Sequence, residues 1–491
     1  MGAESDKIKR EAWKQVPEIW KTELRENSMK IRSNKYIGDR AFYKTLMTVA
    51  VPIMIQNGIT NFVGLLDNIM IGRVGTEQMS GVAIVNQIMF IYFLCLFGGL
   101  SGAGIFTAQY YGYKDDEGIR HTFRYKLWLG LAVTAIAMAI MFFFGKDLIS
   151  MFLNESEGGG DLQATLRYGM GYMHLIFLGM PVLFVSIVYS STLRECGETL
   201  VPMKAGMAAV FVNLVFNYLL IYGKFGFPKL GVYGAALATD LSRVVECAII
   251  VIWLHRHSAS HTYIRGVYKT MKVPLSVVKK FFITGAPLLI NETLWSVGIF
   301  LQNQAYSLRG LNAVAGQNIA NTINNVFNIS FIAMGDAVAI IVGQLLGAGR
   351  MKEAKKTDTW IISASVMMGI MITIAMTCTA PLFPRLYNTN EEARHLATLF
   401  LIVQAIAAPK DAFLHTSYFT LRSGGKTIIT FFFDSFFMCV VSVPTAFILS
   451  RYTNLSVIVI FAAVHSMDLI KCVIGYVLVR KNVWMKNIVV D

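Results

Sequence analysis

Five carboxylates lie where a charge is expensive. Asp67, Glu292, Asp336, Asp411 and Asp434 each sit inside a long apolar run. A charge at the middle of a bilayer costs about 2.5–3.5 kcal/mol on insertion scales, so each needs a partner, a water-filled cavity or a task. The tasks open to such a group are taking up a proton and holding a monovalent cation. Glu292 and Asp411 make the most informative pair. Two carboxylates facing one cavity repel, so one takes up a proton or both share a hard cation such as Na⁺, with amides such as Asn291 or Gln302 as further ligands. The plainer alternatives are an ion pair between Asp411 and its neighbour Lys410, and helix–helix hydrogen bonds for Glu292. Asp67 stands toward the end of its run, where pairing with Arg73 is the plain alternative. Asp336, Asp434 and His415 are candidate additional relay groups, and His174 is a further histidine inside a span.

Amides accompany the acids. Asn61, Asn86, Asn213, Asn217, Asn303 and Asn321 all fall inside apolar runs. They are expected to line a polar cavity for a solute, or to hold helices together. The 33 Phe, 20 Tyr, 7 Trp and 25 Met supply adaptable apolar surface of the kind that suits a promiscuous cavity.

The elements that must position these groups are membrane helices. Of 491 residues, 55% are hydrophobic and only 15% charged, against about 25% charged in soluble domains. Twelve stretches are long enough to cross a bilayer, near 46–71, 82–108, 125–145, 167–192, 201–222, 232–254, 280–303, 316–345, 358–381, 395–420, 428–449 and 455–479. The fold class expected is an all-α integral membrane protein. Most of the 44 Lys and Arg fall in the tails and even-numbered loops. The positive-inside rule then puts both termini in the cytoplasm, and the net charge of +14 reports topology rather than a nucleic-acid partner. No cleavable signal peptide is expected in the charged residues 1–45. Within them, Ile8, Ala12, Trp13, Val16, Ile19, Trp20 and Leu24 have roughly helical spacing, and the segment reads as an interfacial helix or a solvated tail.

The chain repeats itself. At a constant offset Pro52 meets Pro287, Asn68 meets Asn303, Gly75 meets Gly310, Gln109 meets Gln344 and Gly112 meets Gly347. Further on, Pro181 meets Pro409, Thr192-Leu193-Arg194 meets Thr420-Leu421-Arg422, and Asp240 meets Asp468. Two six-span bundles, 46–254 and 280–480, are joined by a cytoplasmic linker 255–279 and followed by a tail 481–491. An even span count makes this a parallel repeat, an arrangement common among transporters. The partners of Asp67, Glu292, Asp336, Asp411 and Asp434 in the other half are Gln302, Asn57, Ser101, Leu183 and Gly206, so the repeat itself does not demand the acids. Asp240 and Asp468 each precede a base by three residues (Arg243, Lys471) and read as structural pairs.

Catalytic motifs are scarce in the sequence. Gly424-Gly425-Lys426-Thr427 lacks the upstream glycine of a phosphate loop, and there is no HExxH. The six cysteines form no CxxC pair and read as free thiols. No enzyme activity and no cofactor are expected, and an ion gradient is the natural energy source.

Together these residues resemble the multidrug and toxic compound extrusion (MATE) family. The resemblance rests on Pro52…Asp67…Gly72-Arg73-Val74-Gly75 with Gly81-Val82-Ala83, and on Gly285-Ala286-Pro287…Glu292. It rests also on Val342-Gly343-Gln344-Leu345-Leu346-Gly347-Ala348-Gly349, Leu421-Arg422-Ser423-Gly424 and Gly231-Val232-Tyr233-Gly234-Ala235-Ala236. It implies a V-shaped twelve-helix antiporter that exports amphipathic, often cationic compounds in exchange for Na⁺ or H⁺. It also implies coupling roles for Asp67, in the first span, and for Glu292 and Asp411, near the acidic pair of a sodium-coupled branch. Asn213 and Asn217 stand where many proton-coupled members carry Asn and Asp, which tilts the expectation toward Na⁺ at Glu292 and Asp411. The implied partners are a small-molecule substrate, a monovalent cation and the lipid bilayer of the plasma membrane, with the chain a monomer. Two rivals are a flippase for lipid-linked precursors of the same superfamily, which needs a basic cavity, and an intramembrane enzyme such as an acyltransferase.

Overall fold

The computed structural model describes residues 36–153, 161–387 and 389–490. The interfacial-helix reading of residues 7–24 lies outside them. Among the described residues the chain is all-helical, with twelve long helices: α1 Arg40–Gly72, α2 Thr76–Tyr113, α3 Asp116–Ser150, α4 Leu162–Glu195, α5 Leu200–Tyr222 and α6 Val232–Arg256 in the first half. The second half holds α7 Leu275–Ser307, α8 Leu311–Gly347, α9 Met351–Thr379, α10 Glu391–Ser423, α11 Thr427–Tyr452 and α12 Val457–Arg480.

Most helices overrun the apolar stretches that announce them. The predicted span 82–108 becomes Thr76–Tyr113, and 125–145 becomes Asp116–Ser150. A hydrophobic run marks only what lies in lipid, whereas the helix continues until a cap stops it. Side chains of Asp39, Asp115, Asp161 and Asn390 accept backbone N–H groups at the starts of α1, α3, α4 and α10. Ten of the twelve helices are apolar enough to count as spans by composition alone. The other two, α6 and α7, are long enough to cross but are diluted, by Asp240, Arg243 and Glu246 in α6 and by Asn291-Glu292-Thr293 in α7.

Helices α1, α4, α7 and α10, equivalent in the repeat, each carry an internal proline: Pro52, Pro181, Pro287 and Pro409. Helix α11 is irregular. It runs as π-helix over Phe432–Phe436 and Met438–Ser442, just before Pro444. A proline has no N–H for the carbonyl four residues back and clashes with it, so the ladder upstream widens.

The two bundles share helix ends at one end of the molecule. The start of α1 (Phe42, Leu46, Ala50, Ile53) packs into a core built from α8, α9 and α10 of the other half. Reciprocally Phe281, early in α7, packs with Ala103, Phe106 and Tyr125 of the first half. Between them α2 crosses α7 so closely that a Cβ on Gly102 would stand 2.3 Å from the Cα of Gly285.

The linker is docked. Tyr263, Ile264 and Val267 are buried in the core of the first bundle. Three α3 side chains fasten its backbone: Arg120 donates to Tyr263 O (3.2 Å), Arg124 to Val267 O (2.9 Å) and Trp128 to Met271 O (3.0 Å). Burial pushes the His261 imidazole below the usual histidine range and the Tyr268 phenol above its own.

Candidate functional site

In the first half, three helices bring oxygen ligands together. Asn217 of α5 donates to Asp67 Oδ1 of α1 at 2.6 Å and to Asn213 Oδ1 at 3.0 Å. Asn213 in turn donates to Thr239 Oγ1 of α6 at 3.4 Å. Asn213 and Asn217 are buried. The Oδ1 of Asn217 is buried and accepts no hydrogen bond, and neither does Asp240 Oδ2 on α6. Such orphaned acceptors are costly unless something else meets them. The partner of Asp67 is Asn217 rather than Arg73, the plain alternative of the sequence reading, and the base whose field reaches Asp67 is Arg243, itself 3.1 Å from Glu246. Asp240 lies hard against α4: a Cβ on Gly179 would stand 2.0 Å from its Oδ1.

In the second half, acids and lysines alternate. Lys410 Nζ lies 2.6 Å from Asp411 Oδ1 and 3.1 Å from Asp468 Oδ2. Lys471 Nζ lies 3.4 Å from Asp468 Oδ1 and 3.4 Å from Asp434 Oδ1. Asn291 of α7 continues the chain, donating to Asp434 Oδ2 at 3.2 Å and to the Tyr418 hydroxyl at 3.3 Å. Asn291 also fixes the π-helical stretch of α11, since the Ser435 hydroxyl donates to its carbonyl at 2.7 Å.

Glu292 is not joined to Asp411 in this ladder. It lies near Tyr418 and shares its surroundings with Arg422 and Asp434. The close neighbour of Asp411 is Lys410, the plain alternative of the sequence reading, and the same ammonium reaches Asp468 on α12. His415 stacks on Phe331, with ring centroids 6.3 Å apart, and lies in the fields of Asp411 and Asp434. Asp336 sits apart, near Arg194, Arg422 and Glu195 where the bundles meet. His174 touches Phe177 of its own helix.

The amides divide between the two readings. Asn213 and Asn217 belong to the Asp67 cluster. Asn303 accepts from Gln317 at 2.9 Å and Asn321 from Gln404 at 3.1 Å, ties that join α7 to α8 and α8 to α10. Asn86 accepts from Tyr172 at 3.5 Å. Asn61 bonds back to the Asn57 carbonyl of its own helix at 2.9 Å. Sequence reasoning passed over Thr239, Tyr418 and the free oxygen of Asp240. The repeat made Asp240 look like Asp468, but only Asp468 has lysines on both oxygens.

The comparisons with known proteins agree with this architecture. The sequence profile of the MatE family matches residues 52–219 and 287–448, one block in each half. A probable multidrug resistance protein, YoeA of Bacillus subtilis, is 23% identical over 420 residues, covering 85% of this chain and 89% of its own. The probable multidrug resistance protein NorM of Thermotoga maritima is 26% identical over 426 residues, covering 84% and 87%. Among solved structures, an outward-facing multidrug resistance MATE family transporter superposes with a TM-score of 0.78 at 20% identity, over 90% of this chain and 96% of that one. The Vibrio cholerae MATE transporter VcmN gives 0.80 at 14% identity, over 91% and 99%. With both repeat blocks matched and the twelve-helix fold shared, the chain belongs to the MatE family of multidrug efflux transporters.

Proposed function

We propose that this chain is a cation-coupled antiporter that exports amphipathic, often cationic drugs or metabolites by alternating access between its two bundles. Its substrates follow from relatives described as multidrug resistance proteins. It works as a monomer in the plasma membrane with both termini in the cytoplasm, where the Lys and Arg bias puts them.

The observation that carries the reading is the Asp67 cluster. A carboxylate, two buried amides and a hydroxyl meet there, and Asn217 Oδ1 has no donor. Such a set suits a proton on Asp67 or a small hard cation among the oxygens. The second half is less suited to hold a coupling ion, because Lys410 and Lys471 already stand between Asp411, Asp468 and Asp434. Coupling is therefore assigned first to Asp67, with Glu292 the remaining candidate and Asp411 a charge-balancing group. The same pairing weighs against a flippase, since neither lysine is left over for a pyrophosphate.

Ethidium efflux from proteoliposomes, under an imposed Na⁺ gradient and separately a pH gradient, tests this. Asp67→Asn is expected to abolish gradient-driven efflux. Loss in Asp411→Asn with retention in Asp67→Asn would return the cation to the second half. No efflux under either gradient would favour the flippase.

A further inference from the structure

Where the bundles meet, the repeat forms a double clasp. Gln109 of α2 donates to the Ser423 carbonyl at the end of α10, at 2.9 Å. Its repeat partner Gln344 of α8 donates to the Glu195 carbonyl at the end of α4, at 2.8 Å. Each glutamine thus reaches into the opposite half and binds the same place there. Their glycines match too. A Cβ on Gly112 would stand 1.9 Å from Gln344 O, and one on Gly347 would stand 1.9 Å from Gln109 O.

The symmetry is broken by one segment, the residues after α12. Trp484 is buried in the core that α1 shares with the second half. A few residues later, Ile488 and Val489 pack against the cluster that Ala103, Phe106 and Tyr125 of the first half form with Phe281 of α7. The segment therefore crosses the seam. Gln109 is its fixing point. Beyond its bond to Ser423, Gln109 Nε2 donates to Lys486 O (3.2 Å), and Gln109 Oε1 accepts from Ile488 N (2.9 Å). All the bonding capacity of a fully buried amide but one lone pair is thereby used. Asn487 adds a bond to Gly347 O at 3.0 Å.

We infer that residues 481–490 are a strap across the seam, that Gln109 is the positioning residue that fastens it, and that the strap must leave Gln109 each time the seam opens. The inference rests on the alternating-access reading. If the bundles part here, α2 moves from α8 and α10, and the strap cannot stay bonded to Gln109 while Trp484 stays in its core. Gln344 holds the same seam through the Glu195 carbonyl and has no hydrogen bond to the strap, which makes it the internal control.

Two measurements decide it. First, a photoreactive benzoyl-phenylalanine in place of Ile488 is expected to cross-link to α2 or α3 on illumination, and the captured fraction to lose efflux in proportion. Captured molecules that transport at the wild-type rate, or capture only within the second half, would overturn the strap. Second, trypsin is expected to cut after Lys481 or Lys486 at least tenfold faster in Gln109→Leu, and at the wild-type rate in Gln344→Leu. Equal acceleration in both would mean that Gln109 only stabilises the seam, and no acceleration in either would mean that it does not fasten the strap. The site of capture and the rate of proteolysis are read without substrate, so a chain that exports nothing would defeat the transport reading and the efflux readout with it, while the capture site and the cleavage rates would still test the strap and its fastening by Gln109.

Discussion

Lys410 holds two carboxylates at once, Asp411 Oδ1 at 2.6 Å and Asp468 Oδ2 at 3.1 Å, and so ties α10 to α12 through one ammonium. Lys410→Met strips Asp411 of its cation and leaves Asp468 with Lys471 alone. A partner lost from a largely buried polar group costs about 1–3 kcal/mol. The expected outcome is a lower melting temperature in detergent, partly restored in Lys410→Met combined with Asp411→Leu. Unchanged melting of the single variant would show that the ladder contributes nothing to stability.

The oxygen cluster in the first half predicts a gain as well as a loss. Asn217→Asp adds a second negative charge beside Asp67, and cation affinity rises with ligand charge. Half-saturating Na⁺ for ethidium efflux should fall by roughly tenfold if Na⁺ enters this cluster. An unaltered Na⁺ dependence in an active Asn217→Asp protein would place the ion elsewhere.

Asp240 tests the same region from α4. Because a Cβ on Gly179 would stand 2.0 Å from Asp240 Oδ1, Gly179→Ala must push that carboxylate aside. The expected result is loss of efflux with little change in melting temperature. Asp240→Asn should share the defect. Normal transport in both variants would confine Asp240 to a structural role.

The docked linker predicts a protease phenotype. Arg124 is 2% exposed and bonds to Val267 O at 2.9 Å and to Glu117 Oε1 at 3.0 Å. Arg124→Ala should release residues 257–274 and speed their cleavage by trypsin at Arg265 or Lys269. Arg124→Lys should not rescue, since an ammonium lacks the planar fork that meets both acceptors.

The close glycines at the seam predict equal effects from both halves. Gly112→Val and Gly347→Val each drive a side chain into the opposite glutamine's backbone, at 1.9 Å from Gln344 O and from Gln109 O. Each should raise the labelling rate of the buried Cys196 thiol by an impermeant maleimide, read by peptide mass. A large difference between the two would show that the clasp is not symmetric in function.

Much of the architecture was legible in the sequence, because lipid imposes run length and the repeat imposes correspondence. Pro52 and Pro287 sit one to a half in matching helices, as the offset requires. Helix ends were less legible, since polar residues such as Thr76 and Tyr113 lie beyond the apolar run yet within the helix. For the site, the sequence offered the suspects and not their grouping. Asp67 and Asn217 are 150 residues apart, and nothing local marks their contact. Lys410 beside Asp411 was visible as a neighbour, but the bond from Lys410 to Asp468 depends on how α10 meets α12. Asp240 and Asp468 show the limit of the repeat: the same residue at the same place is enclosed by two lysines in one half and by none in the other.

The exchange of opening helix turns has a consequence for biosynthesis. Phe42, Leu46 and Ile53 share their core with residues between 333 and 433 and with Trp484. The outer half of α1 can settle on α5 early, through Asp67 and Asn217, but its opening turns are made long before their neighbours and are seated only when most of the chain has been synthesised.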